Sequence, residues 1–375
     1  MKILFLSDSA PSTTFISQDI DLISKQHDSL YISFFSDDTK NQIKSKLIKY
    51  PSKSLKSKLK WRLEQLGVYF NWHDEKFSKA LLSAILKFNP DIIHCQFAYE
   101  ASKFFHNTNL KIPTIINFRG YGASSKLLNK KYIKWLQEIS SKSHVYPIFV
   151  SYSLRRNLEK SNVFFKNKGI VLYTGVNFSE FKRTERNQIK NVNIFLQVGT
   201  FNEKKGQEIT IRAFKIFLNE IHEKNFQLHF IGEGKRLEFC KSLVHKLSLE
   251  DNVFFKGKLG KKQIIKELNQ ASYFVHHSIT AKNGDQEGIP NAIIEAMAME
   301  LPILSTDHSG ISEAVKNEVN GYLCKEKDIE TYATQMKKIS SWHLLPLNRK
   351  KAKKLFNIEK HISTLLNFYE KINIS

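Results

Sequence analysis

The sequence predicts an α/β protein built as two Rossmann-like parallel-sheet lobes facing an interdomain cleft. Short apolar runs alternate with longer helix-periodic stretches, the signature of strands joined by crossover helices. The alternation occurs twice, on either side of the polar stretch Lys182–Asn191. The 375 residues also exceed one ordinary core and suit two domains of roughly 180 residues each. The expected division is 1–185, 186–347 and a closing helical segment, 348–375.

In the first half, strands are expected at Ile3–Leu6, Leu30–Phe34, Ile92–His94, Thr114–Phe118, Pro147–Val150 and Ile170–Leu172. Helices fall between them, among them Thr14–Lys25, Phe77–Phe88 and Ser153–Lys160. The second half repeats the scheme with strands at Ile194–Val198, Gln227–Ile231, Val253–Lys256, Tyr273–His276 and Pro302–Ser305. Its helices follow Gly206, Lys235, Lys261, Pro290 and Gly310, and the segment Asn348–Ile374 reads as one further helical stretch, basic at its start. Ligands of open α/β sheets bind beyond the carboxyl ends of the strands, so two such lobes imply a cleft lined by strand-end loops.

Composition narrows the class. Hydrophobic residues make up 41% of the chain, enough for fully folded cores. The three cysteines, Cys95, Cys240 and Cys324, are widely separated and in no metal-ligand spacing, as expected of reduced thiols in a cytoplasmic protein. The opening apolar run is too short for a secretory signal and no stretch is long enough for a membrane span, so it reads as a first buried strand. Against 36 acidic residues stand 58 basic ones, a formal charge of +22 that draws a protein toward polyanions or anionic membranes. Between Lys40 and Arg62 lysines interleave with Ile43, Leu47, Ile48, Leu55, Leu59 and Trp61 and no acid intervenes. After Pro51 this suits either a basic amphipathic helix on a membrane surface or a merely solvated lysine face. No nucleic-acid-binding module accompanies the charge, and no nucleic-acid partner is expected.

The chemistry concentrates in Asp285–Met299, where Glu287 and Glu295 bracket the start of a helix. Pro290 suits the first turn, where its missing N–H is no loss. Gly288 and Ile289 lie just before it and leave the free amides accessible, and these with the positive end of the helix dipole favour an anion such as a diphosphate. The two carboxylates offer acceptors for hydroxyl pairs, one for a sugar and one for a ribose. Acidic residues at a helix start also serve simply to complement the dipole. Upstream, Val198–Gly206 follows a strand and opens a helix, which places Lys205 at a strand-end loop beside Gly199 and Thr200, as either a phosphate-binding point charge or a surface lysine.

The stretch NGDQEGIPNAIIEAMAMELPILSTDHSGISEAV resembles the signature of retaining glycosyltransferases of family four, which have the GT-B fold and carry a Glu, seven residues, then Glu. The likeness is nearly continuous from Val198 to Leu323 and confined to short stretches before it. It implies transfer of a hexose from a nucleotide diphosphate sugar to a polysaccharide or lipopolysaccharide acceptor on a lipid carrier, by a chain peripheral to the inner face of the cell membrane. Glu287 would orient the hexose and Glu295 the ribose, while Lys205 neutralises the leaving diphosphate. The family pairs that lysine with an arginine where this chain has Thr200, so leaving-group stabilisation is weakened or shifts to another basic side chain. Gly232 falls in the family's glycine turn, and Lys258 in the loop Lys256–Leu259 that holds the nucleobase. Ser7–Ile16, with Thr13 and Thr14, resembles a loop facing the sugar phosphate, although a helix cap from Ser12 or Thr13 is equally good physics.

Asn117–Gly122 resembles the family's Phe-His-Gly, with Arg119 replacing the histidine; a permanent cation stabilises charge but takes no proton. The matching motifs supply no carboxylate nucleophile for double displacement. The resemblance implies same-face substitution, in which the departing phosphate oxygen takes the acceptor proton. Apart from Asp19-Ile20-Asp21 within the expected helix Thr14–Lys25, no Asp-x-Asp motif of the metal-dependent transferases is evident, so no metal and no resident cofactor are expected. The final helix is expected to return to the first lobe. Two alternatives stay open: a catalytically degenerate nucleotide-sugar-binding partner in a synthase complex, and a GT-B nucleotide-sugar epimerase.

Overall fold

The structure, a computed structural model, describes residues 1–9, 14–36, 45–48, 75–184, 192–221 and 225–374. Contacts divide the chain into two compact units, Met1–Gly175 with Glu359–Ser375, and Val176–Ile358.

The first unit holds a seven-stranded sheet in the order β3-β2-β1-β4-β5-β6-β7, all neighbours parallel. Its strands are β1 Lys2–Ser9, β2 Asp28–Ser36, β3 Ser45–Leu47, β4 Ile92–Cys95, β5 Thr114–Phe118, β6 Val145–Phe149 and β7 Ile170–Val171. Leu4, Leu6, Ile32, Phe34, Ile93 and Ile116 are fully buried, as expected of strands covered on both faces. β3 was not anticipated, because its three residues carry no periodicity of their own. The region expected to form a basic amphipathic helix lies outside the described residues.

The second unit holds a six-stranded parallel sheet, β10-β9-β8-β11-β12-β13. Here β8 is Asn193–Val198, β9 Phe226–Ile231, β10 Val253–Phe255, β11 Tyr273–His276, β12 Ile303–Thr306 and β13 Gly321–Cys324. Phe195 centres its core, with its ring against Phe214, Phe217, Phe226 and Tyr273. β13 was missed from sequence because it is short and opens on glycine. That glycine is needed, since a Cβ at Gly321 would stand 2.3 Å from the Ile303 carbonyl oxygen of the neighbouring strand.

The single helical segment expected over 348–374 is two helices, Pro346–Phe356 and Ile358–Ile374. Extended Asn357 interrupts them and bridges to Val176, which donates to the Phe356 carbonyl and accepts from the Ile358 amide. The first of the two helices packs within the second unit. Arg349 donates to the carbonyls of Phe178 and Phe181, and Asn348 to those of Leu301 and Asn320. Residues 176–184 group with the second unit for the same reason, although the sequence reading placed them in the first half.

The helix Ile358–Ile374 carries the side chains that join the first unit. Tyr369 lies 2.5 Å from His94 Nδ1, and Asn117 lies 2.8 Å from Nε2 of that ring. Burial and the nearby Arg119 lower the His94 imidazole to about 3, so it stays neutral. Among the described residues no helix is long and apolar enough to cross a membrane.

Candidate functional site

In the second sheet the chain order reverses between β8 and β11, which are paired neighbours whose connections leave in opposite directions. Such a switch point leaves a crevice at the carboxyl ends of the two strands. The loop after β8 carries Gly199, Thr200, Lys204 and Lys205, and the loop after β11 carries Asp285, Glu287 and Gly288. The two loops meet through ion pairs.

Lys205 Nζ lies 3.0 Å from Glu287 Oε1, and Lys204 Nζ lies 3.3 Å from the same oxygen and 2.9 Å from Asp285 Oδ2. Burial by itself would raise the Glu287 carboxyl, but the ammonium groups of Lys205 and Lys204 hold it well below the usual carboxylate range. Burial likewise opposes charge on Lys204, and Glu287 with Asp285 raises it above the ordinary lysine range. The cluster thus brings two lysine ammonium groups against two carboxylates.

Backbone geometry sets these groups in place. Lys205 ends a short 3-10 turn, Glu203–Lys205, and its carbonyl accepts a 2.7 Å hydrogen bond from Gln197 Nε2 of β8. Its aliphatic stem crosses Gly199, about 3.5 Å from where a Cβ would stand. Gly206 then turns the chain into the helix Gln207–Glu220 at φ +56°. Gly232 has φ +139°, and a Cβ there would fall 2.1 Å from the Gly199 carbonyl oxygen. This glycine therefore lets the loops after β8 and β9 lie in backbone contact. Thr200 is exposed, its hydroxyl accepting from Asn202 Nδ2 at 3.0 Å, and Lys258 is exposed on the loop after β10.

Pro290 precedes the helix Asn291–Ala298 with φ −58° and no side-chain cap. The amides of Gly288, Ile289, Asn291 and Ala292 have no acceptor among the described residues, which leaves the positive end of the helix open. The side chain of Glu295, on that helix, makes no hydrogen bond among the described residues. Burial pushes its carboxyl up to about 7, with Lys261 opposing. The raised value gives a signed expectation: protonated Glu295 contributes stability that is complete below about 4.5 and lost as pH rises through about 7. Glu295→Gln is therefore expected to stabilise the second unit by about 2 kcal/mol at pH 8, allowing for partial exposure, and by nothing at pH 4.5. Urea unfolding at the two pH values measures both.

Sequence reasoning missed Lys204, Asp285, His308 and Glu326. Lys204 was hidden beside the motif lysine, and the others have no local signal that separates them from surface polar residues. Both imidazoles at the end of β11, His276 and His277, are fully buried and lowered to about 3 by burial, so neither is a cation at neutral pH. No group of three or more His, Cys, Asp or Glu able to hold a metal ion occurs among the described residues.

In the first unit Arg119 directly follows β5 and is directed into a buried network, its side chain only 8% exposed. Its guanidinium donates to the Gln96 carbonyl and to Gln96 Oε1, both at 3.3 Å, lies 3.9 Å from Asp19 Oδ2, and stacks over Phe15. His361 Nε2 lies 3.2 Å from the same Asp19 oxygen, while its Nδ1–H donates to the Tyr173 carbonyl. Burial alone would lower that imidazole, and Asp19 raises it. Arg119 is thus committed to internal partners, which a local motif match does not reveal. Thr13 lies outside the described residues, and Thr14 is placed only as the first residue of the helix Thr14–Ser24.

Residues 178–355, which contain every group of the second-unit site, match the family described as "Glycosyl transferases group 1". They are similar to a group 1 glycosyltransferase domain. An amylovoran biosynthesis glycosyltransferase of Erwinia amylovora is 33% identical over 170 residues, 45% of this chain and 41% of that protein, so the chain spans less than half of that relative's length. Among solved structures, a glycosyltransferase of Rickettsia africae has a TM-score of 0.77 at 18% identity, covering 99% of this chain and 98% of that one. Anabaena HepE, solved with UDP and glucose, has a TM-score of 0.76 at 17% identity, covering 99% of each chain. These likenesses extend the GT-B fold of the glycosyltransferase domain to the whole chain.

Proposed function

We propose that the chain moves a hexose, with retention and without a metal ion, from a nucleotide diphosphate sugar to a surface-glycan acceptor. The observation that carries this reading is the ionised Glu287 carboxylate at the sheet's switch point, bracketed by Lys204 and Lys205 and followed by a helix start with open amides. The relatives support it: one is named for amylovoran biosynthesis, and another was solved with UDP and glucose.

In this reading the diphosphate rests against the amides of Gly288, Ile289, Asn291 and Ala292 and the Lys205 ammonium, with Gly199, Thr200 and Gly232 shaping the floor. Lys204 supplies the second cation that Thr200 does not, because it already stands against the same carboxylate oxygen as Lys205. Glu287 accepts hydroxyls of the hexose and Glu295 those of the ribose, a role that favours its ionised form. The sugar–phosphate bond breaks as the acceptor oxygen bonds to the anomeric carbon from the same face. The departing phosphate oxygen takes the acceptor's proton, and the lysines and helix amides stabilise its charge. The basic excess of the chain suits a lipid-linked acceptor on an anionic membrane.

Thermal melting of the full chain against a panel of UDP-, GDP- and ADP-sugars tests the reading, since a ligand at a hundred times its Kd adds about 2.7 kcal/mol. Stabilisation by none of them, together with no turnover, overturns it, and binding without turnover favours the degenerate partner. For the transfer itself, Lys205→Ala is expected to lower kcat/KM about 300-fold and Lys204→Ala about 30-fold. Steady-state assays at two salt concentrations check this, and a neutral Lys204→Ala would return the second-cation role to a group not yet named.

A further inference from the structure

We infer that His308 and Glu326 form a positioning pair that fixes the backbone of Glu287, and with it the carboxylate assigned above to the donor hexose; the inference rests on that assignment. Nε2 of His308 accepts a 3.3 Å hydrogen bond from the Glu287 amide. An imidazole nitrogen that accepts carries no proton, so the ring proton sits on Nδ1. Nδ1 faces Glu326 Oε1 at 2.6 Å. The His308 side chain is 1% exposed with both nitrogens engaged, so it touches no substrate and acts only through Glu287.

The pair is anchored on both sides. Glu326 accepts from the Thr280 amide at 2.7 Å and from the Thr280 hydroxyl at 3.1 Å. Gln286, the residue before Glu287, donates to that hydroxyl oxygen at 3.2 Å. Burial would raise the Glu326 carboxyl, but the hydrogen bonds from His308 and Thr280 hold it at about 2, so it remains an acceptor. From the other end of the same loop, the Gly310 amide donates to the Gly288 carbonyl at 3.0 Å. The segment 308–310 therefore grips the amide of Glu287 and the carbonyl of the next residue, while Lys204 and Lys205 hold the Glu287 side chain. A hydroxyl-orienting carboxylate needs its backbone fixed by such supporting hydrogen bonds, because small displacements of a positioning group cost much of its effect.

Two variants of the full chain separate positioning from bulk stability. His308→Leu removes both hydrogen bonds, whereas His308→Gln keeps an amide oxygen for the Glu287 N–H and an amide N–H for Glu326. Amide hydrogen exchange over residues 285–289, without ligand, is expected to accelerate at least tenfold in His308→Leu and to return within threefold of wild type in His308→Gln. Calorimetric affinity for UDP-glucose is expected to fall at least tenfold in His308→Leu, that for UDP less than twofold, and His308→Gln to restore the sugar-dependent difference. Wild-type exchange and affinity in His308→Leu, or an equal loss for UDP and UDP-glucose, overturns the pair. Should His308→Leu fail to fold, Glu326→Leu, whose side chain is 30% exposed, makes the same comparison. If the wild-type chain binds neither ligand, the donor assignment fails, and the exchange measurement alone decides the pair.

Discussion

Glu287→Gln is expected to lower kcat/KM about a thousandfold, a loss of about 4 kcal/mol of transition-state stabilisation. The substitution keeps the shape of the side chain and the amide bond to His308, and removes only the charge that both lysines face. Lys205 then loses its carboxylate partner, and Lys204 keeps only Asp285. A carboxylate also accepts hydroxyl hydrogen bonds more strongly than a neutral amide does. Both effects act on sugar and leaving group together, so the loss is expected in kcat as well as in donor affinity. A variant that melts as wild type and retains kcat/KM within threefold would refute the assignment of Glu287.

Gly206→Ala is expected to cost on the order of 4 kcal/mol and to lower the melting temperature by about 10 °C. The Cβ would fall 2.0 Å from the His277 carbonyl oxygen, a backbone atom at the end of β11 that no rotamer change can clear, and the φ of +56° is one that alanine adopts with strain. Relief requires the lysine turn to move away from β11, which would separate Lys205 from Glu287 and remove activity with stability. Gly257→Ala is the control: φ is +67°, but nothing lies within 4 Å of the added Cβ, so only the strain of about 1 kcal/mol is expected. Equal melting of the two variants would show that the close approach to His277 is not what holds the turn.

The two predictions bear on how much was legible in advance. The strands that are buried on both faces read directly as apolar runs, and Tyr273–His276 and Thr114–Phe118 have their expected bounds. The helix start between Glu287 and Glu295 was legible because Pro290 and the apolar run after it act locally. Lys204 was not, since its pairing follows from the approach of two loops that set it against Glu287, 83 residues further along the chain. The break at Asn357 was also hidden, because it is imposed by Val176 pairing across the helix junction.

Local pattern by itself determined the α/β class, the repeated strand–helix scheme and the helix start that presents open amides, because backbone sterics, hydrophobic periodicity and a proline act over a few residues. Tertiary structure alone decided that Lys204 and Lys205 share one carboxylate oxygen, that His308 and Glu326 stand behind it, and that Arg119 turns inward to Gln96 and Asp19. Such contacts join residues far apart in the chain, and their strength depends on burial and on distances of a few ångströms, which only the packed sheet sets.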